Sequence, residues 1–416
     1  MRASRVVGAG AATLVLVGCG SGSDETGVTL MTVPTPPAYV SGGETLVRVE
    51  AAPGVDLSAL SVSVDGTQAV RVEAAPADRL GRTTNAVLAL VTGLTVGDNQ
   101  IVATIDDDEV ASLTVTNWPI EGPIFSGEHL EPYLCLAELA PTNGRPSAFP
   151  IGNGHYLDGL DFGEDCSMET RVDFVYRSNA ERAQWKPLLT PTPLPEDMAQ
   201  TTTSEGKTVP FLVRIETGTI NRAIYQTAIL VDPAAPDATP WNPPAPWNGR
   251  LVYTYGGGCE AGFFQGTSTG GVLRDDMLGA GYAVASSTLN VNAQGGCNDP
   301  LSAETTLMVK ERFAETYGIP VHTIGNGGSG GAMQQLLIAH AYPGILDGIL
   351  PTLTFPDAVS YMIDSSDCGL LLRPYLNQKG YDERRNACSE GGRSGARERS
   401  LSAHARIASG LKTAQR

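Results

Sequence analysis

The 416-residue sequence has no apolar run long enough to cross a bilayer and is deficient in positive charge. A membrane-spanning helix takes about 20 consecutive apolar residues. The 28 lysines and arginines against 45 aspartates and glutamates give a net charge of −17 and a pI near 4.7. Recognition of nucleic acid requires a concentrated basic surface, so nucleic acid is excluded as the main partner.

Glycine and proline do not reach the level of a disordered chain. The 48 glycines and 28 prolines make up about 18% of the sequence, below the roughly 25–30% that indicates wholesale disorder. A hydrophobic content of 42% supplies enough apolar side chain for a core. The charge is uneven, since residues 379–416 carry about +5 and the first 378 about −22. The length predicts two to three domains.

The sequence has no C-x-x-C motif and no histidine beside a cysteine pair, which disfavours the competing interpretation of a zinc site. Seven cysteines are present, and Cys19 belongs to an N-terminal signal. An even set of six in an exported protein indicates disulfides. Six cysteines allow about 15 pairings. If each cysteine pairs with its nearest neighbour in the sequence, the disulfides are Cys135–Cys166, Cys259–Cys297 and Cys368–Cys388. We predict this pairing.

Residues 1–19 have the layout of an export signal, with Arg2 and Arg5 before a short apolar run. Leu16-Val17-Gly18-Cys19 resembles the bacterial lipobox, whose cysteine becomes the lipidated first residue. The alternative is an ordinary signal peptide with an incidental cysteine. We expect residues 20–37 to form a flexible tether after the signal. We therefore expect a lipoprotein that contacts the membrane only through its anchor, or an extracellular or periplasmic protein.

Residues 38–118 predict a small immunoglobulin-like β-sandwich. They contain short alternating segments separated by turn signals and no helical period. The segments are Thr45–Ala51, Leu60–Val64, Ala69–Ala74, Ala86–Val91, Gln100–Ile105 and Ser112–Thr116. Because this region has no aromatic row that suggests polysaccharide binding, a spacer role is favoured.

Residues 119–378 change in texture, and from residue 250 onward strands alternate with helices. This alternation predicts βαβ units and a mostly parallel α/β sheet of the α/β-hydrolase type. Residues 379–416 form a basic, weakly apolar tail that we expect to be disordered.

The sequence VHTIGNGGSGGAMQQLLIAH at 321–340 contains Gly327-Gly328-Ser329-Gly330-Gly331, a G-x-S-x-G motif between an apolar strand and an apolar helix. In that context the serine occupies a sharp turn and projects its hydroxyl above the sheet. Glycines two residues away on each side remove Cβ atoms that would collide there. The motif predicts Ser329 as a nucleophile.

A second glycine turn, Gly256-Gly257-Gly258, also follows a strand, as the HGGG-type loop does in lipases and esterases. That loop supplies a backbone N–H to the oxyanion hole. Tyr255 occupies the place of the histidine. Two such turns in this chain order favour a hydrolase.

Two other interpretations of the first turn remain open. Gly325, Gly327 and Gly330 also match the dinucleotide-binding pattern G-x-G-x-x-G. Three features disfavour dinucleotide binding. The chain has an export signal, the glycine turn comes late in the predicted fold, and no suitable acidic residue lies about 20 positions after it. A purely structural glycine turn is the second alternative.

The general base and its orienting acid are hard to find. Two histidines follow Ser329, and His340 lies about 16 Å along the same helix, which leaves His404. Acid candidates are Asp357, Asp364, Asp367 and Asp382, of which Asp364 and Asp367 are preferred. The two further strands expected after residue 353 are not visible. Either the hydrolase is incomplete or frame-altered in this chain, or the tail folds back to deliver His404.

Residues from about 119 to 370 resemble the secreted bacterial domain-of-unknown-function family 6351, an α/β-hydrolase-like family with tannase and hydroxybutyrate-oligomer-hydrolase resemblance. The matching segments are GPIFSG at 122–127, YGGGCEAGFFQG at 255–266, GNGGSGG at 325–331 and DSSDC at 364–368. The resemblance implies that Ser329 is the nucleophile, that the Gly330 N–H is one oxyanion donor, and that Gly258 or Cys259 provides the other. Tannases have a cysteine directly before the nucleophile, where this chain has Gly328.

The sequence thus predicts an α/β-hydrolase-like, mostly parallel sheet preceded by a β-sandwich, and a serine hydrolase for small-molecule or oligomeric carboxylic esters. No cofactor and no metal are expected. The alternative is a catalytically inactive, surface-anchored ligand-binding protein.

Overall fold

The protein is described here by a computed structural model that covers residues 26–355 and 362–370. Within the first range the described residues exclude 69, 75–84, 136–148, 153–154, 161, 164, 181–183, 189–192, 236, 260–263 and 294–296. The chain divides into two compact units, Met1–Thr354 and Phe355–Arg416. No helix within the described residues is long and apolar enough to span a bilayer.

The N-terminal part of the first unit consists of two β-sheets, which we call the sandwich. One sheet has the order β1-β3-β7-β6 and the other β2-β9-β8-β4-β5. The strands are β1 Val28–Val33, β2 Val40–Ser41, β3 Glu44–Ala51, β4 Leu60–Val64, β5 Thr67–Gln68, β6 Val70–Ala74, β7 Ala86–Thr92, β8 Gly97–Ile105 and β9 Asp108–Trp118. Val47 and Val91 of one sheet share a buried core with Ile101 and Val115 of the other.

An eight-stranded sheet forms the centre of the remaining first unit, in the order β13-β12-β16-β17-β19-β18-β20-β21. Its strands are β12 Arg171–Arg177, β13 Trp185–Leu188, β16 Leu212–Ile220, β17 Ala223–Leu230, β18 Arg250–Tyr255, β19 Ala283–Ser287, β20 His322–Gly328 and β21 Gly348–Thr352. Two small sheets pair β10 Phe149–Gly152 with β11 His155–Leu157 and β14 Gln200–Thr202 with β15 Thr208–Pro210. Every residue of β17 is buried, as expected for a central strand covered on both faces.

The prediction of an α/β-hydrolase-like, mostly parallel sheet is wrong. The four pairings from β13 to β19 are antiparallel, and only the three pairings from β19 to β21 are parallel. The described structure is mostly β, with 42% strand and 18% helix. For the β16–β17 pairing the cause is local, because Asn221 and Arg222 of the connecting hairpin both adopt positive φ, 55° and 60°. Such a two-residue turn returns the chain directly, without a crossover helix.

Helices are few among the residues that the structure describes. They are α1 Asp275–Gly279, α2 Asp299–Tyr317, α3 Gly330–Ala341 and, in the second unit, α4 at 362–370, with 3-10 turns at Pro37–Tyr39 and Thr288–Asn290. Helix α2 begins after Asn298, whose side chain accepts a hydrogen bond from the Leu301 N–H at 3.1 Å. It ends at Gly318, which adopts a φ of 99°. These are the usual signals for the start and the end of a helix.

Helix α2 also contacts the sandwich through a group of buried and half-buried ionisable residues. We call this group the charged cluster, and its members are Glu44, Glu216, Glu311, Arg312 and Glu315. Arg312 lies between the carboxylates of Glu44 at 3.0 Å and Glu216 at 3.1 Å. Glu311 accepts hydrogen bonds from the backbone N–H and the hydroxyl of Ser41 in β2, at 3.1 and 2.8 Å. All but Glu216 line a cavity of about 180 Å³.

Burial perturbs the pKa values of two acids in the charged cluster, Glu311 and Glu315. It raises the pKa of Glu311 to about 8. Burial also raises the pKa of Glu315 well above its usual value, and the nearby Glu311 carboxyl adds to the effect. The Oε1 atom of Glu315 has no hydrogen-bond partner among the described residues. Charged carboxylates are costly in such surroundings, so these two acids favour the protonated form.

Candidate functional site

Ser329 lies at the bend between β20 and α3 with its side chain exposed. Its φ of 58° and ψ of −120° are rare for a residue with a side chain. The bend is held from both sides. The Ser329 N–H donates to the Thr352 carbonyl in β21 at 3.0 Å, and its own carbonyl accepts from the N–H groups of Ala332 and Met333 at 2.9 and 3.1 Å. The strained serine therefore presents its hydroxyl outside the packed interior.

The second glycine turn follows β18, the neighbour of β20 in the sheet. Strands β18 and β20 are parallel, and Tyr255 pairs with Gly327. Both strands therefore end at the same edge, which brings the two turns together. A Cβ added to Gly257 would lie 3.5 Å from the Ser329 Cβ and 3.8 Å from the Gly330 nitrogen.

The two turns fit together because glycines occupy the contact. A Cβ on Gly330 would lie 1.8 Å from the Gly258 carbonyl oxygen. Added Cβ atoms on Gly327 and Gly331 would each lie 2.5 Å from the Tyr255 carbonyl oxygen. Side-chain carbons are not found at such distances from backbone oxygens. The G-x-S-x-G glycines therefore permit close contact with the second turn.

The backbone of both turns lies close to the Ser329 side chain. Gly330 is the first residue of α3, where N–H groups have no partner within the helix and the helix dipole is positive. The sequence nominated Gly258 and Cys259 as the source of the other donor. The structure places the Gly258 carbonyl against Gly330, and Gly257 approaches Ser329 through its α-carbon. Sequence reasoning missed Gly257, although it is the central glycine of its turn.

Of the residues predicted as acid or base, only Asp364 and Asp367 lie among the described residues. Asp364 and Asp367 are exposed residues of α4, in the second unit. His404, Asp357 and Asp382 lie outside the described residues. His340 is exposed in the last turn of α3. The described part of the site therefore consists of the serine and the backbone amides near it.

Beneath the turns lies a set of buried, uncharged residues, which we call the amide network: Tyr253, Asn290, Ser302, Thr306 and Gln334. The Asn290 side-chain amide donates to the Ser302 hydroxyl at 2.9 Å and to the Thr306 hydroxyl at 3.3 Å. Its oxygen accepts from the Tyr253 hydroxyl at 2.6 Å. The Ser302 hydroxyl donates to the Gln334 side-chain oxygen at 2.6 Å. Buried polar groups satisfied in this way hold one arrangement.

Two adjacent glutamines of α3 reach the two turns separately. The Gln334 side-chain N–H group donates to the Gly256 carbonyl at 3.0 Å. The Gln335 side-chain N–H group donates to the carbonyls of Gly327 and Gly331 at 3.0 and 2.8 Å. Neither was identified from the sequence. The signal available was a Gln-Gln pair within an otherwise apolar helix.

Two disulfides are formed among the described cysteines. Cys135 is bonded to Cys166, and Cys259 to Cys297, with Cα–Cα distances of 5.0 and 4.8 Å. The second bond attaches the residue after the glycine turn to the segment that precedes α2. Disulfides of this kind are typical of exported proteins.

The third predicted pair, Cys368–Cys388, lies partly outside the described residues. Cys368 lies in α4, whereas Cys388 and the predicted lipidation site Cys19 lie outside the described residues. In the described ranges no group of three or more histidine, cysteine, aspartate or glutamate side chains is arranged to hold a metal ion.

The GPIFSG segment encloses one buried carboxylate. Glu304 of α2 accepts hydrogen bonds from the backbone N–H groups of Ile124, Phe125 and Ser126 at 2.9, 2.6 and 2.7 Å. The Ser126 hydroxyl and the Asn221 side-chain amide donate to its second oxygen at 2.9 and 3.0 Å. A carboxylate with five donors is well compensated for its burial. This segment therefore supports the position of α2.

Comparison with protein families gives one match. The model of a tannase-like family of unknown function (DUF6351) matches residues 30–411. The resemblance indicated by the sequence motifs is thereby confirmed, and the match includes most of the basic tail. No curated protein matches the chain.

Similarity to solved structures is low. Tannin acyl hydrolase from Aspergillus niger has 11% identity and a TM-score of 0.24, covering 49% of this chain and 34% of that one. Oligopeptidase B from Trypanosoma brucei, with covalently bound antipain, has 13% identity and a TM-score of 0.24, covering 82% and 56%. Domains 6–7 of the surface layer protein SbsC have 12% identity and a TM-score of 0.16, covering 23% and 46%. This chain thus spans between 34% and 56% of the length of these three structures.

Proposed function

This chain belongs to a tannase-like family of unknown function, and on that premise we propose that it is an exported serine hydrolase that cleaves carboxylic esters. The observation that carries the proposal is the exposed Ser329 at a positive-φ bend, beside the backbone of Gly330 and Gly257. An activated serine needs this exposure, and a tetrahedral intermediate needs nearby N–H donors.

In the proposed reaction, the Ser329 oxygen forms a bond to the ester carbonyl carbon while its proton passes to a base. Negative charge develops on the carbonyl oxygen, where the N–H groups of Gly330 and the glycine turn stabilise it. The bond to the alcohol oxygen then breaks, and the base returns the proton to the leaving alcohol. Water attacks the acyl-enzyme by the same route and releases the carboxylic acid.

We assign the base to His404 and its orienting acid to Asp364 or Asp367. His404 is the remaining histidine after Ser329 once His340 is set aside, because His340 lies eleven residues along the helix that begins at the nucleophile. Loss of a triad base leaves only the rate that the oxyanion hole and substrate binding provide. A small-molecule or oligomeric ester is the proposed substrate.

The test is labelling of the purified chain with a fluorophosphonate probe, together with hydrolysis of p-nitrophenyl butyrate. We expect Ser329→Ala to abolish both, and His404→Ala to slow both by at least about 1,000-fold. Ser58→Ala, at an exposed serine in the sandwich, is the matched control and keeps wild-type labelling. A wild-type chain that is neither labelled nor active would contradict the proposal and favour a ligand-binding protein.

We also propose that the exported chain is attached to a membrane through a lipid on Cys19. The short apolar segment before Cys19 and the polar residues after it support this assignment. Detergent phase partitioning measures the attachment: Cys19→Ser is expected to move the chain from the detergent phase into the aqueous phase. Equal partitioning of both forms would contradict lipidation.

A further inference from the structure

We propose that Gln334 is a positioning residue that orients the peptide groups of the glycine turn toward Ser329. The inference deepens the proposed function and rests on it. Gln334 is buried in α3, five residues after the nucleophile. Its role is to fix the turn rather than to contact the ester.

The first argument concerns Gly256. Its carbonyl accepts from the Gln334 side chain at 3.0 Å, and its N–H donates to the Asn290 carbonyl at 2.8 Å. The same Asn290 carbonyl accepts from Gln334 at 3.2 Å. Gln334 and Asn290 therefore hold both polar groups of the Gly256 backbone.

The second argument concerns the peptide plane. The Gly256 carbonyl and the Gly257 N–H belong to one planar trans peptide group, so their directions are opposed. A hydrogen bond that fixes the carbonyl therefore also fixes the direction of the N–H. Gly257 is the turn residue on which an added Cβ would lie 3.5 Å from the Ser329 Cβ. The next peptide is fixed as well, because the Ala293 N–H donates to the Gly257 carbonyl at 3.0 Å.

The third argument is that Gln334 is itself immobilised. Its side-chain oxygen accepts from the Ser302 hydroxyl at 2.6 Å, and its nitrogen donates to two carbonyls. All of these partners are backbone groups or a buried side chain of α2. Gln334 thus couples the helix that begins at the nucleophile to the turn that faces it. Displacements of about 1 Å in such an arrangement reduce turnover by about 100-fold.

The experiment compares Gln334→Met and Gln334→Glu with the wild-type chain. Both variants keep approximately the size of glutamine and remove its N–H donors. We expect kcat for p-nitrophenyl butyrate to fall by about 10- to 100-fold with KM changed less than about twofold. We also expect faster hydrogen–deuterium exchange in peptides spanning residues 251–259.

The matched control is Gln226→Met. Gln226 is a fully buried glutamine of β17 whose side chain bonds to Thr217 and Thr269 rather than to either turn. This control removes an equally buried amide, so it reports the general cost of the substitution. We expect it to leave kcat and the exchange of residues 251–259 unchanged.

The outcomes separate the two proposals. Wild-type kcat in both Gln334 variants, or equal losses in Gln226→Met, would overturn the positioning role. If the wild-type chain shows no turnover, the esterase proposal fails, and the exchange comparison still decides whether Gln334 holds the turn. Unchanged exchange at residues 251–259 in the Gln334 variants would overturn the positioning role even then.

Discussion

Helix α2 contributes residues to two sets of polar side chains, the amide network and the charged cluster, which differ in chemistry. Near its start, Ser302 and Thr306 belong to the amide network under the glycine turns. Near its end, Glu311 and Glu315 belong to the charged cluster against the sandwich. The amide network has uncharged, closely matched partners, whereas the charged cluster holds more carboxylates than guanidinium groups. The first arrangement is insensitive to pH and suited to fixed geometry, and the second makes folding depend on protons.

The largest effect on reactivity is expected where the two glycine turns meet, above the amide network. In Gly330→Ala the new Cβ would lie 1.8 Å from the Gly258 carbonyl oxygen, so the turns must separate. We expect fluorophosphonate labelling of Ser329 to fall by at least about 100-fold, the scale of a lost oxyanion donor. The control is Gly369→Ala in α4, where an added Cβ meets no described atom within 4 Å and labelling is retained. Wild-type labelling of Gly330→Ala would show that close contact between the turns is unnecessary.

A smaller effect is expected within the charged cluster. The buried Glu216 carboxylate pairs with Arg312 and accepts from the Tyr225 hydroxyl at 2.8 Å. Glu216→Gln removes the buried negative charge that pairs with Arg312 and Arg214 and leaves Arg312 paired with Glu44 alone. We expect about 3 kcal/mol less free energy of unfolding in urea titrations.

The control for this substitution is Glu205→Gln, which removes an exposed ion pair to Lys207 and costs about 0–1 kcal/mol. Labelling of Ser329 should be the same in both variants, because neither residue belongs to the amide network. Equal losses of stability in the two variants would contradict the importance of burial at Glu216.

The smallest effect is a change in pH dependence. With the pKa of Glu311 raised to about 8 by burial, the folded chain binds more protons than the unfolded chain between roughly pH 4.5 and 8. Stability contributed by this group is therefore lost as pH rises through that window. Glu311→Gln cannot titrate, so we expect a shallower fall in the free energy of unfolding between pH 5 and 8. Glu109→Gln, at an exposed position in β9, is the control. If the free energy of unfolding of Glu311→Gln falls with pH as steeply as that of the wild-type chain, the proton is bound by a group other than Glu311.

The comparison also marks the limit of prediction from the sequence. The glycine motif around Ser329 and the helix after it depend on local patterns, and the structure has that helix at Gly330–Ala341. The sheet depends on which strands pair. The hairpin between β16 and β17 turns at Asn221-Arg222, which lacks the glycine that usually signals a tight hairpin. The antiparallel half of the sheet was therefore missed.

The supporting residues were missed for a related reason. Gln334 acts through Gly256 and Asn290, 78 and 44 residues away in the chain. Glu304 acts through residues 178 to 180 positions away. No local pattern marks a polar residue in a helix as buried and fully bonded. The motifs identify the reacting group, and the fold determines what holds it in place.

The enclosure of Glu304 limits how the chain can be shortened. Three of its donors are backbone N–H groups just after the sandwich, at Ile124, Phe125 and Ser126. A fragment that starts after Ser126 would lack the sandwich and also these donors. The buried Glu304 carboxylate would then lose most of its hydrogen bonds. A shortened chain for crystallisation or screening should therefore begin before Gly122, so that these three N–H groups still bind the Glu304 carboxylate.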